Sequence, residues 1–139
     1  VSKNQNTDMI KPFKVTLHYT KASSEKCINK KDCVFCKILD KTAPGSIIAT
    51  SEHAFAFLKH RPTVTADFLI SPREHVTNLK TDFCNLKKYA EVLLDMILLA
   101  NKIADKRPYT LHINNGSNSS QVIYHLHAHI AGNWPSPKL

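Results

Sequence analysis

The sequence predicts one α+β domain: a mostly antiparallel sheet of about five strands, with one long helix and a short N-terminal helix. Three observations carry that prediction. Five short segments show strand patterning, at residues 46–50, 53–58, 67–71, 109–114 and 122–130. Only one long segment has helical periodicity, and it falls between the third and fourth strands rather than after each strand, as a parallel sheet would require. The 139 residues, 42% hydrophobic and 22% charged, suffice for one core and exclude global disorder.

Residues 1–31 read as a basic N-terminal arm, partly disordered, with residues 13–19 alternating as a possible edge strand. Seven lysines against two acidic residues give the arm five of the chain's eight net positive charges. The rest is only mildly basic, so neither composition nor motif calls for nucleic acid. No apolar run approaches the roughly 18–20 residues that cross a bilayer, and no membrane partner is expected. No secretory h-region is visible either. The expected compartment is the cytoplasm, with a mitochondrial or other organellar address as the alternative.

The domain proper is expected over residues 32–139. Cys33-Val34-Phe35-Cys36 opens one or two helical turns ending before Pro44-Gly45. Ile47 and Ile48 mark the first strand. Ala54, Ala56 and Leu58 alternate with Phe55 and Phe57, which suits a strand covered on both faces. Asp67-Phe68-Leu69-Ile70-Ser71 forms the third, ended by Pro72, which cannot donate to a ladder. Thr81-Asp82 offers an N-cap for a helix running to about Lys106. Its expected buried face is Leu86, Ala90, Leu93, Ile97, Ala100 and Ala104, widened by Leu94, Leu98 and Ile103. Lys102, Lys106 and Arg107 complement its C-terminal dipole, and Pro108 stops it. A polar loop at residues 115–120 joins the last two strands.

The last predicted strand carries the chemistry. His125, His127 and His129 alternate with Leu126, Ala128 and Ile130, so three imidazoles share one face and three apolar side chains the other. Neutral imidazoles placed this way coordinate metal, exchange protons near neutral pH, or attack an electrophile. Just upstream, residues 114–121 supply amide side chains and exposed backbone N–H groups suited to wrapping an anion. A nucleophile beside an anion cradle points to phosphoryl or nucleotidyl transfer. Cys33 and Cys36 by themselves fit a redox pair, half of a metal site, or two core thiols.

These residues resemble the histidine triad (HIT) family of nucleotide hydrolases and transferases, and its zinc-bearing Hint-like branch in particular. The resemblance rests on the Asn114-Asn115-Gly116 loop, Gln121 four residues before the triad, and the triad itself. It extends through Cys33-Val34-Phe35-Cys36, Phe68-Leu69-Ile70-Ser71-Pro72, His75 and the closing Trp134-Pro135. It implies a HIT-like fold and reaction at the α-phosphate of a nucleotide conjugate: a phosphoramidate, an adenylate or a dinucleoside polyphosphate, with a purine base. His127 would attack and form a covalent nucleotidyl-histidine, its other nitrogen held by a backbone carbonyl. His129 would contact the phosphate or the leaving group, and Asn114 and Gln121 would bind phosphate or bridging oxygens. Structural zinc would sit on Cys33, Cys36, His75 and His125, and the chain would form a homodimer near its long helix. No organic cofactor is implied.

Some positions depart from the family pattern. Lys59 stands where an aspartate commonly receives ribose hydroxyls, and an ammonium cannot accept those bonds. Ala66-Asp67 replaces a Gly-His or Thr-His pair, Ser119-Ser120 a Gly-Gly pair, and Val122 a Ser or Thr. Lys59, His60 and Arg61 would favour a more anionic substrate, or form a solvated turn. Two other readings follow: a nucleotide-binding or interaction module with little turnover, and a hydrolytic metal centre on the triad itself. His18, His53, His60 and His112 receive no role.

Overall fold

The alternation at residues 54–58 organises the molecule: Ala54, Ala56 and Leu58 pack on one face of a sheet, Phe55 and Phe57 on the other. The computed structural model describes residues 16, 18, 29–61, 63–82 and 86–138. Five strands form one antiparallel sheet: β1 (Ile47–Thr50), β2 (Ala54–Leu58), β3 (Thr65–Pro72), β4 (Thr110–Ile113) and β5 (Ala128–Pro135). Their spatial order is β1-β2-β3-β5-β4. Among the described residues three α-helices accompany them: α1 (Val34–Leu39), the single turn α2 (Leu79–Asp82) and the long α3 (Leu86–Ala104). The expected α+β architecture is the observed one. Of the edge strand expected at residues 13–19 only residues 16 and 18 are described, neither of them assigned to a strand, and Cys27 and Cys84 lie outside the described residues.

Both faces of the sheet are covered, although an antiparallel sheet needs only one. Beneath α3, Phe68, Ile70, Leu126, Ala128, Ile130 and Trp134 form the larger core with Val92, Met96, Leu99 and Ala100. On the opposite face α1 lays Phe35 against Phe55, Phe57 and Leu69. Each fully buried phenylalanine here stabilises the fold by about 1.5–3 kcal/mol.

Helix α3 differs from expectation at both ends and in phase. Thr81 and Asp82 lie inside α2 rather than at a cap, because the capping carboxamide comes earlier: Lys80 N–H donates to Asn78 Oδ1 at 3.0 Å. The last helical residue is Ala104, and Asp105 and Lys106 turn away with φ of 51° and 68°. Arg107 donates to the Ala104 and Ile103 carbonyls at 2.7 and 3.1 Å and closes the C-terminus, as its position suggested. The helix buries the expected Ala100 and Ala104 and packs Leu93 and Ile103 against the core, but it also buries Val92, Met96 and Leu99 and leaves Leu94, Ile97 and Leu98 exposed. Two apolar stripes compete for the sheet, and Asp95 sets the rotation. Its Oδ2 accepts from Ser51 Oγ at 2.6 Å and His53 N–H at 2.8 Å, which turns the Val92 side inward.

The final strand begins at Ala128, not at residue 122, and runs on to Pro135. Its ladder with β3 starts at the Ile70–Ala128 pair. Further along β3 the ladder stops, because Pro72 has no N–H and its carbonyl is taken by a side chain, that of His125. Residues 125–127 lie outside the paired strand, with a bend at His125, yet the predicted sidedness survives: Leu126 joins the larger core while His125 and His127 face α1.

Candidate active site and metal centre

His125 is fully buried, and its Nε2–H donates to the Pro72 carbonyl at 2.9 Å. That bond fixes the tautomer and leaves Nδ1 as a free lone pair. Nδ1 faces Cys33 Sγ at 3.3 Å, Cys36 Sγ at 3.5 Å and His75 Nδ1 at 3.2 Å, and Cys36 Sγ lies 3.4 Å from His75 Nδ1. All four donor atoms fall within 4.8 Å of one another. A tetrahedral zinc with Zn–N near 2.0 Å and Zn–S near 2.3 Å sets its donors roughly 3.3–3.8 Å apart, so the set fits that ion. Burial holds His125 down at about 4, which makes it a neutral ligand near pH 7. Burial, together with the neighbouring Cys33, pushes the Cys36 thiol up to about 12. A bound dication reverses that preference, since coordination deprotonates a thiol outright. Cys33 also caps α1, its sulfur accepting from Cys36 N–H at 3.5 Å.

His127 uses its nitrogens the other way round. Its Nδ1–H donates to the His125 carbonyl at 2.7 Å, so Nε2 carries the lone pair. The ring is buried edge-on to Phe35, with centroids 5.0 Å apart at 88°. Burial lowers its pKa, and His112 and Lys59 add to the shift, so the ring is neutral and able to attack. His129 is half-buried beside it, held at about 4 by burial first and then by the His127, His112 and Lys59 charges. Both rings line a cavity of about 760 Å³. Val34, Phe35 and Ile38 form one apolar wall, Phe57 and Leu69 the floor, and Lys59, His60 and Ser120 the polar rim.

Asn114 and Gln121 occupy different positions from the triad. Neither lines the cavity. The Gln121 Oε1 accepts from Asn78 Nδ2 at 3.0 Å and Gly116 N–H at 2.8 Å, while its Nε2 donates to the Thr77 and Ile123 carbonyls at 2.9 and 3.0 Å. Its amide is therefore fully used in holding the loop. Asn114 Nδ2 donates to the Ser119 carbonyl at 2.6 Å and braces the same loop from the other end. The loop presents Ser120 to the cavity in the left-handed region, at φ 70° and ψ 20°. A residue other than glycine is strained there by about 1 kcal/mol.

Lys59 and Asp67, treated separately in the sequence, form one feature: Lys59 Nζ sits 2.5 Å from Asp67 Oδ1. Lys59 follows Leu58 and Asp67 precedes Phe68, so they sit side by side just beyond the Leu58–Phe68 pair of adjacent antiparallel strands. Sequence reasoning did not find the wall formed by α1, the Asn78–Gln121 bond or the contact of His112 with His129. The apolar spacing of Val34, Phe35 and Ile38 was a usable signal for the first. The other two depend on register and loop packing.

Residues 40–135 match the model of the HIT domain, most of the chain. The chain belongs to the histidine triad family. A 16.1 kDa HIT-like protein of Mycoplasma pneumoniae is 28% identical over 100 residues, 71% of this chain and 69% of the relative. Among solved structures, a HIT family hydrolase from Clostridium thermocellum is 33% identical, with a TM-score of 0.66 over 74% of this chain and 91% of that one. A HIT family hydrolase from Legionella pneumophila is 28% identical, with a TM-score of 0.65 over 73% and 92%. The Cys/His cluster is consistent with a zinc-bearing branch of this family. Among the described residues, no helix is long and apolar enough to cross a membrane.

Proposed function

We propose that the protein is a nucleotide hydrolase or nucleotidyl transferase acting at the α-phosphate of a nucleotide conjugate: a phosphoramidate, an adenylate or a dinucleoside polyphosphate. The observation that carries this reading is the His127 hydrogen bond to the His125 carbonyl, which leaves Nε2 as the free nitrogen of a neutral ring at the cavity. Nε2 attacks phosphorus, the bond to the leaving group breaks, and that group departs with the electron pair and takes up a proton. Water then attacks the nucleotidyl-histidine, releasing the nucleotide and restoring Nε2. His129 contacts the phosphate or the leaving group. The apolar wall of Val34, Phe35 and Ile38 suits a flat purine, and the loop braced by Asn114 and Gln121 carries the phosphate contact through Ser120.

Cys33, Cys36, His75 and His125 hold zinc as a structural ion, which would tie α1 and the Pro72–His75 turn to the triad. The exposed Leu94, Ile97 and Leu98 of α3 support a homodimer through that helix. The deciding experiment is a panel of these conjugates with wild type and His127→Ala, read by mass spectrometry for the covalent adduct. The expected outcome is an adduct in wild type and loss of turnover by about 10³-fold or more in the variant. Full activity in His127→Ala would sink the reading, and tight binding without any adduct would leave a nucleotide-binding module instead.

A further inference from the structure

β4 is an edge strand of the sheet, and its residue His112 pairs directly with His129 of β5. Leu69 pairs with His129 from the other side, and Phe57 pairs with Leu69. One row of side chains thus crosses the sheet as Phe57, Leu69, His129 and His112, and the first three line the cavity. The His112 and His129 rings stack nearly parallel, with centroids 4.5 Å apart and planes 6° from coplanar. His127 meets His129 at 5.0 Å with a 58° tilt. His129 is therefore held between the attacking ring and an exposed ring that the reaction does not otherwise use.

We propose that His112 is a positioning residue for His129: its flat stack holds the His129 imidazole at the cavity wall and sets the charge that ring faces there. The proposal deepens the reading of His129 as a contact to phosphate or leaving group and rests on it. Stacking fixes a ring that otherwise turns about two side-chain torsions, and small losses of alignment at a reacting centre are expensive in rate. The charge argument is local. The groups facing His129 are His127 on its own segment, His112 from β4, Lys59 from β2 and Asp67 from β3; the first three oppose a proton on His129 and Asp67 favours one. Two imidazolium rings stacked this closely repel, so the stacked His112 adds to the burial and the His127 charge that oppose a proton on His129.

The test separates ring from charge in the zinc-loaded protein. His112→Ala removes both, and His112→Phe keeps a flat ring without charge. Side-chain 15N NMR follows His129 directly from pH 8 to 5, whether or not a substrate has been found. In wild type the ring is expected to stay largely neutral throughout; in both variants its protonation shifts upward into that window. With a substrate, kcat/KM falls about tenfold in His112→Ala and recovers in His112→Phe, while the acid limb of the pH profile moves up in both. An unchanged His129 titration in both variants overturns the proposal, as does wild-type kcat/KM in His112→Ala. A wild-type protein that turns over no nucleotide conjugate while His129 still responds would count against the proposed function and not against the role of His112.

Discussion

The first and second histidines of the triad lie two residues apart, and each donates one hydrogen bond to a backbone carbonyl, yet they present opposite ring nitrogens to different surroundings. His125 spends Nε2–H on the Pro72 carbonyl and turns Nδ1 towards two thiols and a third imidazole. His127 spends Nδ1–H on the His125 carbonyl and turns Nε2 towards the cavity. One rule, that a neutral imidazole with one nitrogen donating presents a lone pair at the other, suits the first to the metal-ligand role and the second to the nucleophile role proposed above. What selects the outcome is the backbone. Pro72 ends the ladder and offers a carbonyl that no strand uses, whereas His127 is served by its own chain two residues back.

The largest expected effect tests that division. His127→Gln should abolish turnover, by about 10³-fold or more, and leave the melting temperature within about 2 °C of wild type. Cys36→Ser should do the reverse, releasing the metal and lowering the melting temperature by roughly 10 °C or more. Loss of even ~3 kcal/mol suffices for that in a domain of this size. Paired melting curves and zinc release followed with a chromophoric chelator check both halves. Equal loss of stability in the two variants would break the comparison.

Acid provides a second, smaller test. The folded-state pKa of His125 is about 4 against 6.5 for a free imidazole, because burial disfavours its charged form. Between those values the unfolded chain binds a proton that the folded chain does not, so stability falls as pH drops from 6.5 towards 4. The size is on the order of 3 kcal/mol from His125, and His129, also held at about 4, acts in the same direction. Protonation competes with metal for His125 as well. Urea titrations at pH 7, 6 and 5 should show a steadily falling midpoint with zinc leaving in parallel, and a flat profile would contradict the burial argument.

How much of this was legible beforehand depends on how far apart the partners lie in the chain. The alternation of residues 54–58, the sidedness of residues 125–130 and the identities of the Cys/His set could all be read, because period and ligand chemistry are local properties. The phase of α3 could not, since it is set by Asp95 meeting Ser51 and the His53 amide across the fold. The start of β5 was also misplaced, since extended alternation looks the same whether or not a neighbouring strand pairs with it, and Pro72 withholds that pairing. Gln121 directly follows the predicted loop, but its four hydrogen bonds include Asn78 and the Thr77 carbonyl, more than forty residues upstream.

The smallest effect concerns the cavity rim, where two separate departures from the family pattern proved to be one ion pair. Lys59 lines the cavity and Asp67 holds it at 2.5 Å, with about 30% and 27% of their side chains accessible to solvent. A pair this exposed contributes about 0–1 kcal/mol to stability, so neither Lys59→Met nor Asp67→Asn should move the melting temperature by more than a few degrees. Substrate affinity is where they should differ. Removing the ammonium takes a positive charge from the rim, and Lys59→Met is expected to raise KM for an anionic conjugate about threefold to tenfold. Removing the carboxylate frees the same ammonium, so Asp67→Asn should lower KM by a similar factor, most clearly at low salt where screening is weakest. The double variant should then resemble Lys59→Met alone, because the carboxylate acts on substrate through the lysine. If Asp67→Asn instead raises KM, the carboxylate itself contacts substrate and the pair is a recognition element rather than a brake on the lysine.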